Sequence, residues 1–541
     1  MNRSPAALLL TSALAALLSA GVAAAPPAPD DAAIVHVLNR IGFGARPGDI
    51  EKVRAIGLTR YIEQQLHPER IADTALNARL QPMTTLTLSS RELAQRYEIP
   101  AQQAKREQKK DAASTPDADK TDKTEQRRKD GERQQAALPL QELSQQKIIR
   151  AVYSERQLEE VATDFWFNHF NVDARKGPER FLLTSYERDV IRPRVLGSFR
   201  DLLGATAKSP AMLFYLDNWM SADPNGPHMD TTRRANPRRA FPPPPRPGQN
   251  GMRRPTPDQA AQAKQRPNMP KGLNENYGRE LLELHTLGVD GGYTQKDVTE
   301  VARAFTGWTI ENPRTGGGFI FRPQLHDDGE KIVLGQKIAA GGGERDGERV
   351  LDILANHPAT ARFIATKLAR RFVSDSPSPE LLDHLAETFT RTKGDLRAVM
   401  TALLASPEFL APDTQRAKVK TPFEFIVSAL RTTGAEVNDA KSLVRALQQQ
   451  LGMPLYQCQP PTGYKDTAEA WVNTGALVNR MNAALAIASG RQPGVRLENP
   501  PAPESVVANN MSDVTRATIA KATAPAQALA LALGSPEFQR H

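Results

Sequence analysis

Apolar side chains recur with a helical period along most of the chain. Near the N-terminus Ile34, Val37, Leu38 and Ile41 have the spacing i, i+3, i+4 and i+7, which predicts one buried helix face ending at Gly42. Further amphipathic stretches predict helices over residues 141–168, 347–375, 379–393, 395–405, 422–433, 440–451 and 467–490. The pattern therefore predicts an all-α protein with a large multi-helical globular fold.

A short β element interrupts the helical pattern between residues 317 and 334. Two apolar triplets, 319–321 and 332–334, flank the turn sequence Asp327-Asp328-Gly329. This arrangement predicts one small β-hairpin whose loop is longer than the tightest turns.

Two segments lack the apolar residues that a packed core needs. Residues 101–137 consist mainly of Gln, Lys, Asp and Ala, and residues 222–272 contain 12 prolines and three arginine pairs. Burial cannot offset the entropy of ordering such segments, so we predict two disordered insertions. The first could form a charged single helix in places, and the second could contact an anionic envelope polymer or serve only as a solvated linker. The helical core then comprises residues 25–100, 138–221 and 273–541.

The net charge of +9 comes from these two insertions. Residues 101–137 hold ten Lys and Arg against eight Asp and Glu, and residues 222–272 hold ten against three. The rest of the chain holds 50 residues of each sign, so it presents no excess of basic residues to a nucleic acid. We therefore expect no nucleic-acid partner.

The N-terminus has the pattern of a secretory signal peptide. Arg3 precedes an apolar stretch over residues 6–22, and small residues lead to Pro26-Pro27. We predict cleavage after Ala24, which removes residues 1–24 and places the protein in the periplasm or outside the cell. An uncleaved membrane anchor is the alternative, although the stretch is short for a span of roughly 20 residues. No later segment is apolar enough to span a bilayer, so we predict no transmembrane segment after cleavage.

The sequence contains no conventional catalytic or cofactor motif. It has no Walker loop, no Gly-x-Gly-x-x-Gly after a strand, no His-Glu-x-x-His and no Gly-x-Ser-x-Gly. The single cysteine, Cys458, has no neighbouring base in sequence and is not predicted to be a nucleophile. The cofactor therefore stays unknown, and no motif supports a divalent metal.

Residues 274–308 combine a regular helical pattern of apolar residues with a concentration of His, carboxylate and Trp side chains. Asn274 predicts the cap of a first helix that stops at Gly288, and Thr294 with Asp297 resembles a capping box for a second. At 100° per residue, Glu280 and Glu283 fall on one face of the first helix.

Two such carboxylates could share a metal ion or perform acid/base catalysis. His285 lies on the opposite edge of the apolar face from Glu280, so one helix cannot bring both to one metal and another segment would have to join them. The alternative is structural. Arg279 lies four residues before Glu283, so the two could form an ordinary ion pair, and His285 could be a satisfied helix-end residue.

Two other places could join this segment in space. Trp166 and His169 share a helix face. They could line a cleft in which a sugar stacks on the tryptophan ring, or they could belong to an ordinary core in which the polar atoms of their rings form internal hydrogen bonds. His326 and Asp327 lie in the predicted hairpin loop, where binding residues are common, although both also favour turns. The candidate substrate-binding residues are Trp166, His169, Asp290, Arg303, Trp308, His326 and Asp327.

Several motifs carry a resemblance to a known family. They cover residues 38–50, 165–172, 274–294 and 305–308, and the match continues at 326–331, 406–409, 418–424 and 461–464. With these motifs the chain resembles the bacterial family called domain of unknown function 1800. The resemblance implies an exported helical protein, often encoded beside a second exported, sulfatase-like family of unknown function. It supplies no catalytic residue.

Three hypotheses follow from the sequence. In the first, the protein binds or acts on a glycan or related envelope polymer through a cleft around residues 274–308, with Glu280, Glu283 and His285 as candidate catalytic residues. In the second, it is a non-enzymatic partner or assembly factor for another exported protein. In the third, it is a metal-dependent hydrolase.

Overall fold

The computed structural model describes residues 31–103, 123–226, 272–507 and 511–541. The predicted signal peptide lies outside these residues, as do most of the two predicted insertions. The longer α-helices of the described chain are Asp31–Arg40, Asp49–Ile56, Leu58–Leu66, Lys123–Tyr153, Gln157–His169, Phe199–Ala207, Gln295–Ala304, Glu344–Ala355, Pro358–Phe372, Pro379–Arg391, Leu396–Leu404, Pro422–Thr433, Lys441–Gln449, Thr474–Ala488 and Pro525–Leu533.

Shorter α-helices connect them: Thr74–Leu80, Ser90–Leu93, Glu179–Ser185, Pro210–Tyr215, Glu275–Glu280, Pro503–Val506, Asp513–Ile519 and Pro536–Gln539. The prediction of a mostly helical protein is confirmed. The predicted first stripe is also buried, since Ile34, Val37 and Ile41 are fully inaccessible to solvent. These residues belong to an apolar cluster that runs from the first helix to Phe538.

Many helices begin at a proline that follows a capping side chain. Thr421 accepts a hydrogen bond from the backbone N–H of Glu424, and Ser378 accepts one from Leu381. Proline fits the first helical position because its missing N–H would have no partner there, and its fixed φ suits the helix. The related sequences Ser-Pro-Glu-Phe at 406–409 and 535–538 both use the serine hydroxyl as an acceptor and bury the phenylalanine.

Part of the first predicted insertion is helical. Helix Lys123–Tyr153 begins inside residues 101–137 and continues into the core. Gln, Lys, Arg, Glu and Ala all have high helix propensity, so this segment can form a helix without a continuous apolar face. Residues 104–122 and 227–271 lie outside the described part of the chain.

The predicted hairpin pairing is wrong. Strand Phe319–Phe321 pairs with Trp308–Ile310, and strand Lys331–Val333 pairs with Gln336–Ile338. A third two-stranded sheet joins Glu436–Val437 to Val495–Arg496.

The physical reason lies in the turns. Leu334 and Gly335 both have positive φ, at 48° and 74°, which is the backbone of a tight two-residue hairpin turn. The Asp327-Asp328-Gly329 segment is instead held by side-chain contacts to the preceding helix, as described below.

The first helix of the 274–308 segment changes its period partway along. Asn274 caps Glu275–Glu280 as predicted, but the chain then widens into a π-helical segment, Leu281–Thr286. Positions after Glu280 therefore do not follow the 100° spacing assumed from sequence. Gly288 adopts a φ of 82°, and Thr294 with Asp297 forms the predicted capping box. In the part of the chain that the structure describes, no helix is both long and apolar enough to cross a membrane.

Candidate functional site

Both tryptophans proposed for ligand stacking lie in the core. Trp166 is 1% exposed and donates its indole N–H to the carbonyl oxygen of Val195 at 3.1 Å. Trp308 is fully buried and packs edge-on against Phe305 and Phe319. Neither ring presents a free face to solvent.

Glu280 and Glu283 lie close enough for their charges to interact. Burial raises the pKa of Glu280, and the neighbouring Glu283 raises it further. Glu283 accepts a hydrogen bond from the Tyr293 hydroxyl at 3.0 Å. The alternative Arg279–Glu283 ion pair does not form, because Arg279 donates to Gln295 Oε1 at 2.7 Å.

Arg303, His326 and Asp327 belong to a buried network that fastens the small sheets to helix Gln295–Ala304. Arg303 donates two hydrogen bonds to the Asp327 carboxylate, at 2.7 and 3.0 Å. His326 Nδ1 donates to the Thr306 carbonyl oxygen at 2.8 Å. Asp346 completes the network and lies 3.2 Å from His326 Nε2. These side chains satisfy one another, whereas Asp290 is exposed on the turn after the π-helical segment.

His169 and His285 are brought together. Their ring centroids are 6.4 Å apart, and His169 Nε2 lies 3.1 Å from the backbone carbonyl oxygen of His285, so this nitrogen is the donor. His169 Nδ1 is then an unprotonated acceptor, and it has no hydrogen-bond partner among the described residues. Burial and the nearby Lys367 lower the pKa of His169 well below its usual range and that of His285 to about 3. Both rings are therefore neutral at neutral pH.

Of the ten predicted site residues, His169 is the one that lines a pocket beside helix Pro358–Phe372, which we call the Lys367 pocket. It has a volume of about 440 Å³ and lies among helix Gln157–His169, helix Pro358–Phe372 and the loop over residues 453–469. This volume falls within the range of small-molecule sites.

The side chains that line the pocket range from buried at its base to exposed at its mouth. His169, Arg371 and Tyr456 are buried at its base. Lys465 and Glu469 are about three-quarters exposed at its mouth, with side-chain exposures of 75% and 77%. The pocket therefore opens to solvent through the loop 453–469.

Two asparagines of the 165–172 motif hold that loop. Asn168 donates to the carbonyl oxygen of Tyr464 at 2.8 Å and accepts from the Tyr464 N–H at 2.7 Å. Asn171 donates to the carbonyl oxygens of Cys458 and Pro460, at 3.0 and 2.8 Å. These bonds satisfy irregular backbone that has no regular secondary structure to pair with, so the two amides shape the pocket wall.

Gly463 allows the closest approach of the loop to the helix. We expect Gly463→Ala to lower the free energy of unfolding by about 2 kcal/mol or more, because the substitution combines positive-φ strain with a steric clash. Gly463 has a φ of 72°, and a Cβ there would lie 2.3 Å from the Asn168 carbonyl oxygen. Urea unfolding followed by circular dichroism measures the difference.

Gly452 is the matched control for this substitution. It has the same φ of 72°, but a Cβ there meets nothing within 4 Å. Gly452→Ala should therefore cost only the backbone strain, about 1 kcal/mol. Equal losses in the two variants would contradict the tight contact between Gly463 and Asn168.

Most charges of the pocket are neutralised by a partner. Lys147 Nζ lies 2.6 Å from Asp164 Oδ1, and Arg371 Nη2 lies 2.6 Å from Glu424 Oε1. Glu424 also accepts from the backbone N–H of Thr421 at 2.7 Å.

Lys367 is different. Among the described residues its ammonium group has no hydrogen bond or ion pair, and it lies 5.5 Å from the centroid of the Phe363 ring. Burial lowers the pKa of Lys367 to about 8 against the attraction of Asp466, and Arg370 lowers it further.

The sequence did not point to Lys367, Arg370 or Arg371. They lie at i, i+3 and i+4 on the amphipathic helix Pro358–Phe372, so one face of this helix carries three cations. The spacing is visible in the sequence, but only the packing of the loop over residues 453–469 shows that these side chains line a pocket.

Cys458 also lines the pocket, and burial raises the pKa of its thiol to about 11, so the thiol is protonated at neutral pH. Within the described residues, no group of three or more His, Cys, Asp or Glu side chains could hold a metal ion.

Comparison with known proteins places the chain in a family without an assigned activity. Neither the curated proteins nor the solved structures give a match. The family described as "Protein of unknown function (DUF1800)" matches residues 36–540, which includes every segment that lines the Lys367 pocket. The chain therefore belongs to the DUF1800 family.

Proposed function

We propose that this protein is exported and binds an acidic glycan or related envelope polymer, with an anionic group of the ligand seated in the Lys367 pocket. The observation that carries the proposal is the ammonium group of Lys367, which lines the pocket without a carboxylate partner. Export is supported by the apolar N-terminal stretch over residues 6–22.

The charge pattern favours an anion over a neutral group. Lys367 is partly buried and has no hydrogen-bond or ion-pair partner among the described residues, so a ligand carboxylate or sulfate would supply an opposite charge and hydrogen bonds. Arg371 adds a second donor, because its Nη1 is buried and has no hydrogen-bond partner in the described chain. Arg370 lies on the same helix face and donates only to a backbone oxygen, that of Asp375, at 3.3 Å.

The remaining lining suits a carbohydrate. The partly exposed Tyr464 ring provides apolar surface for a sugar face, and the unpartnered His169 Nδ1 provides a polar contact. The exposed mouth leaves room for a chain to continue into solvent. The other two hypotheses have no comparable support, since the proline-rich arm lies mainly outside the described residues and no metal-binding group occurs within them.

Replacing Lys367 by glutamine should weaken binding of an acidic sugar about 10- to 100-fold, because a hydrogen bond to a charged group contributes about 1.5–3 kcal/mol. The probe is trigalacturonate, measured by titration calorimetry, with galactotriose as the neutral ligand of the same length. Trigalacturonate should bind more tightly than galactotriose, and added salt should reduce the difference.

Lys521→Gln is the control for this experiment. Lys521 is exposed and lies outside the pocket, so its replacement removes the same charge from the surface. Binding should stay within twofold of that of the unmodified protein. Equal affinity for both sugars, or no effect of Lys367→Gln, would contradict the proposal.

A further inference from the structure

Three polar groups that line the Lys367 pocket lack protein partners. They are Lys367 Nζ, Arg371 Nη1 and His169 Nδ1, two donors and one acceptor. Arg371 is 5% exposed and His169 is 2% exposed. Lys367 is only partly buried. Buried polar atoms without partners are rare in native proteins, so the Arg371 and His169 nitrogens that line this cavity point to a ligand that supplies the missing contacts.

The three groups have complementary chemical roles toward a uronate sugar. A guanidinium that binds the carboxylate stabilises negative charge that develops on it, which acidifies the proton on the adjacent carbon. An amine whose pKa is lowered toward neutrality can accept that proton, and burial lowers the pKa of Lys367 to about 8. A neutral imidazole nitrogen can accept a hydrogen bond from a sugar hydroxyl and fix the ring.

We propose that the pocket catalyses β-elimination within a uronate-containing polymer, with Lys367 as the base and Arg371 on the substrate carboxylate; this inference rests on the proposed function above. The neutral amine of Lys367 takes the proton from carbon 5 of the uronate. The electron pair of that C–H bond forms the double bond between carbons 4 and 5, and the bond from carbon 4 to the glycosidic oxygen breaks. The Lys367 ammonium then donates the proton to the departing oxygen. No water, oxidant or reductant is consumed.

The carboxylates of the pocket differ from Lys367 in having cationic partners. Glycoside hydrolases generally use two carboxyl groups, one protonated as an acid and one free as a base or nucleophile. Each carboxylate that lines this pocket has a cationic partner within 4.0 Å. The pairs are Asp164 with Lys147, Glu424 with Arg371, Asp466 with Lys418 and Glu469 with Lys465. Lys367 has no such partner among the described residues, whereas Asp466, whose pKa is raised by burial, is the competing proton donor that hydrolysis would use.

The test uses the full mature chain with polygalacturonate, alginate and hyaluronate. Elimination creates a conjugated carbon–carbon double bond, so ultraviolet absorbance should rise in step with new reducing ends for at least one polymer. Lys367→Arg separates the two roles of this residue. It should retain binding within about tenfold but lower the elimination rate at least 100-fold, because a guanidinium with a pKa above 12 cannot act as the base. Lys521→Gln should leave the rate unchanged, and thermal unfolding should show that both variants are folded.

The outcomes separate this inference from the proposed function. Reducing ends without ultraviolet absorbance would show hydrolysis and overturn elimination. Binding of a polymer without any product would overturn the elimination step and leave the binding function standing. Absence of both binding and product with all three polymers would overturn both. An active Lys367→Arg variant would remove Lys367 as the base.

Discussion

Replacing Glu424 by glutamine is expected to lower the free energy of unfolding by about 3–5 kcal/mol, the range for breaking a buried ion pair. Glu424 is 6% exposed and its carboxylate is bound by Arg371. Burial lowers the pKa values of Arg40, Lys420 and Arg480, and the charge of Glu424 opposes this effect at each of them. One carboxylate therefore compensates several buried cations, and glutamine removes that compensation.

The substitution isolates charge from shape. Glutamine has nearly the same size and can still accept the hydrogen bond from the backbone N–H of Thr421, so the capping interaction of helix Pro422–Thr433 is retained. Urea unfolding at pH 7 gives the difference. Glu387, which is exposed on a helix surface, is the control, and Glu387→Gln should change stability by less than about 0.5 kcal/mol. A loss below 1 kcal/mol in the Glu424 variant would contradict the central role of this carboxylate.

The effect of Glu424 should depend on pH in one direction. Burial alone would raise its pKa, but Arg371, His541 and the hydrogen bonds from Thr421 lower it to about 2. The ordinary value in an unfolded chain is about 4.3, so the stabilisation is complete above that value and disappears as the pH falls toward 2. The difference between the original protein and the glutamine variant should therefore shrink between about pH 4.5 and pH 2.

Local patterns in the sequence were sufficient for most helices. The stripe from Ile34 to Ile41 is buried, and the caps at Asn274 and Thr294 form as expected. These features depend on neighbours within about four residues, so one segment contains all the information that fixes them. The π-helical segment Leu281–Thr286 was not predictable in this way, because its residues have ordinary helix propensity and tertiary packing selects the wider turn.

The candidate site was harder to predict than the fold. The sequence indicated His169, but the other main contributors to the pocket, Lys367, Arg371 and Asp466, come from segments that are far apart along the chain. Charged residues on an amphipathic helix are normally assigned to solvent, so the pattern of helix Pro358–Phe372 gave no reason to place Lys367 in a cavity. The pairing of strands 319–321 and 332–334 was also predicted wrongly, because the sequence of a short strand contains little information about which strand it pairs with.

Two of the candidate binding residues, His326 and Asp327, are held in a network whose centre is Asp346. Asp346 Oδ2 lies 2.7 Å from Lys331 Nζ, and both side chains are almost fully buried. The Lys331 ammonium otherwise donates to the backbone carbonyl oxygens of Asp327 and Gly329. Lys331 therefore ties strand Lys331–Val333 to helix Glu344–Ala355 through a single carboxylate.

Asp346→Asn should lower the free energy of unfolding by about 3–5 kcal/mol, because it leaves the buried Lys331 ammonium with only the more distant Asp327 carboxylate, 3.9 Å away. Chemical unfolding measures this loss, and Lys337→Met is the control on the paired strand. Lys337 forms a 2.7 Å ion pair with Glu330, but its side chain is 67% exposed, so its loss should cost at most about 1 kcal/mol. Replacing both Lys331 and Asp346 with apolar residues should recover most of the stability lost in Asp346→Asn, since a well-packed apolar pair can substitute for a buried ion pair. If Asp346→Asn costs no more than Lys337→Met, the network is not what holds these strands, and His326 and Asp327 regain their place as candidates for a binding role.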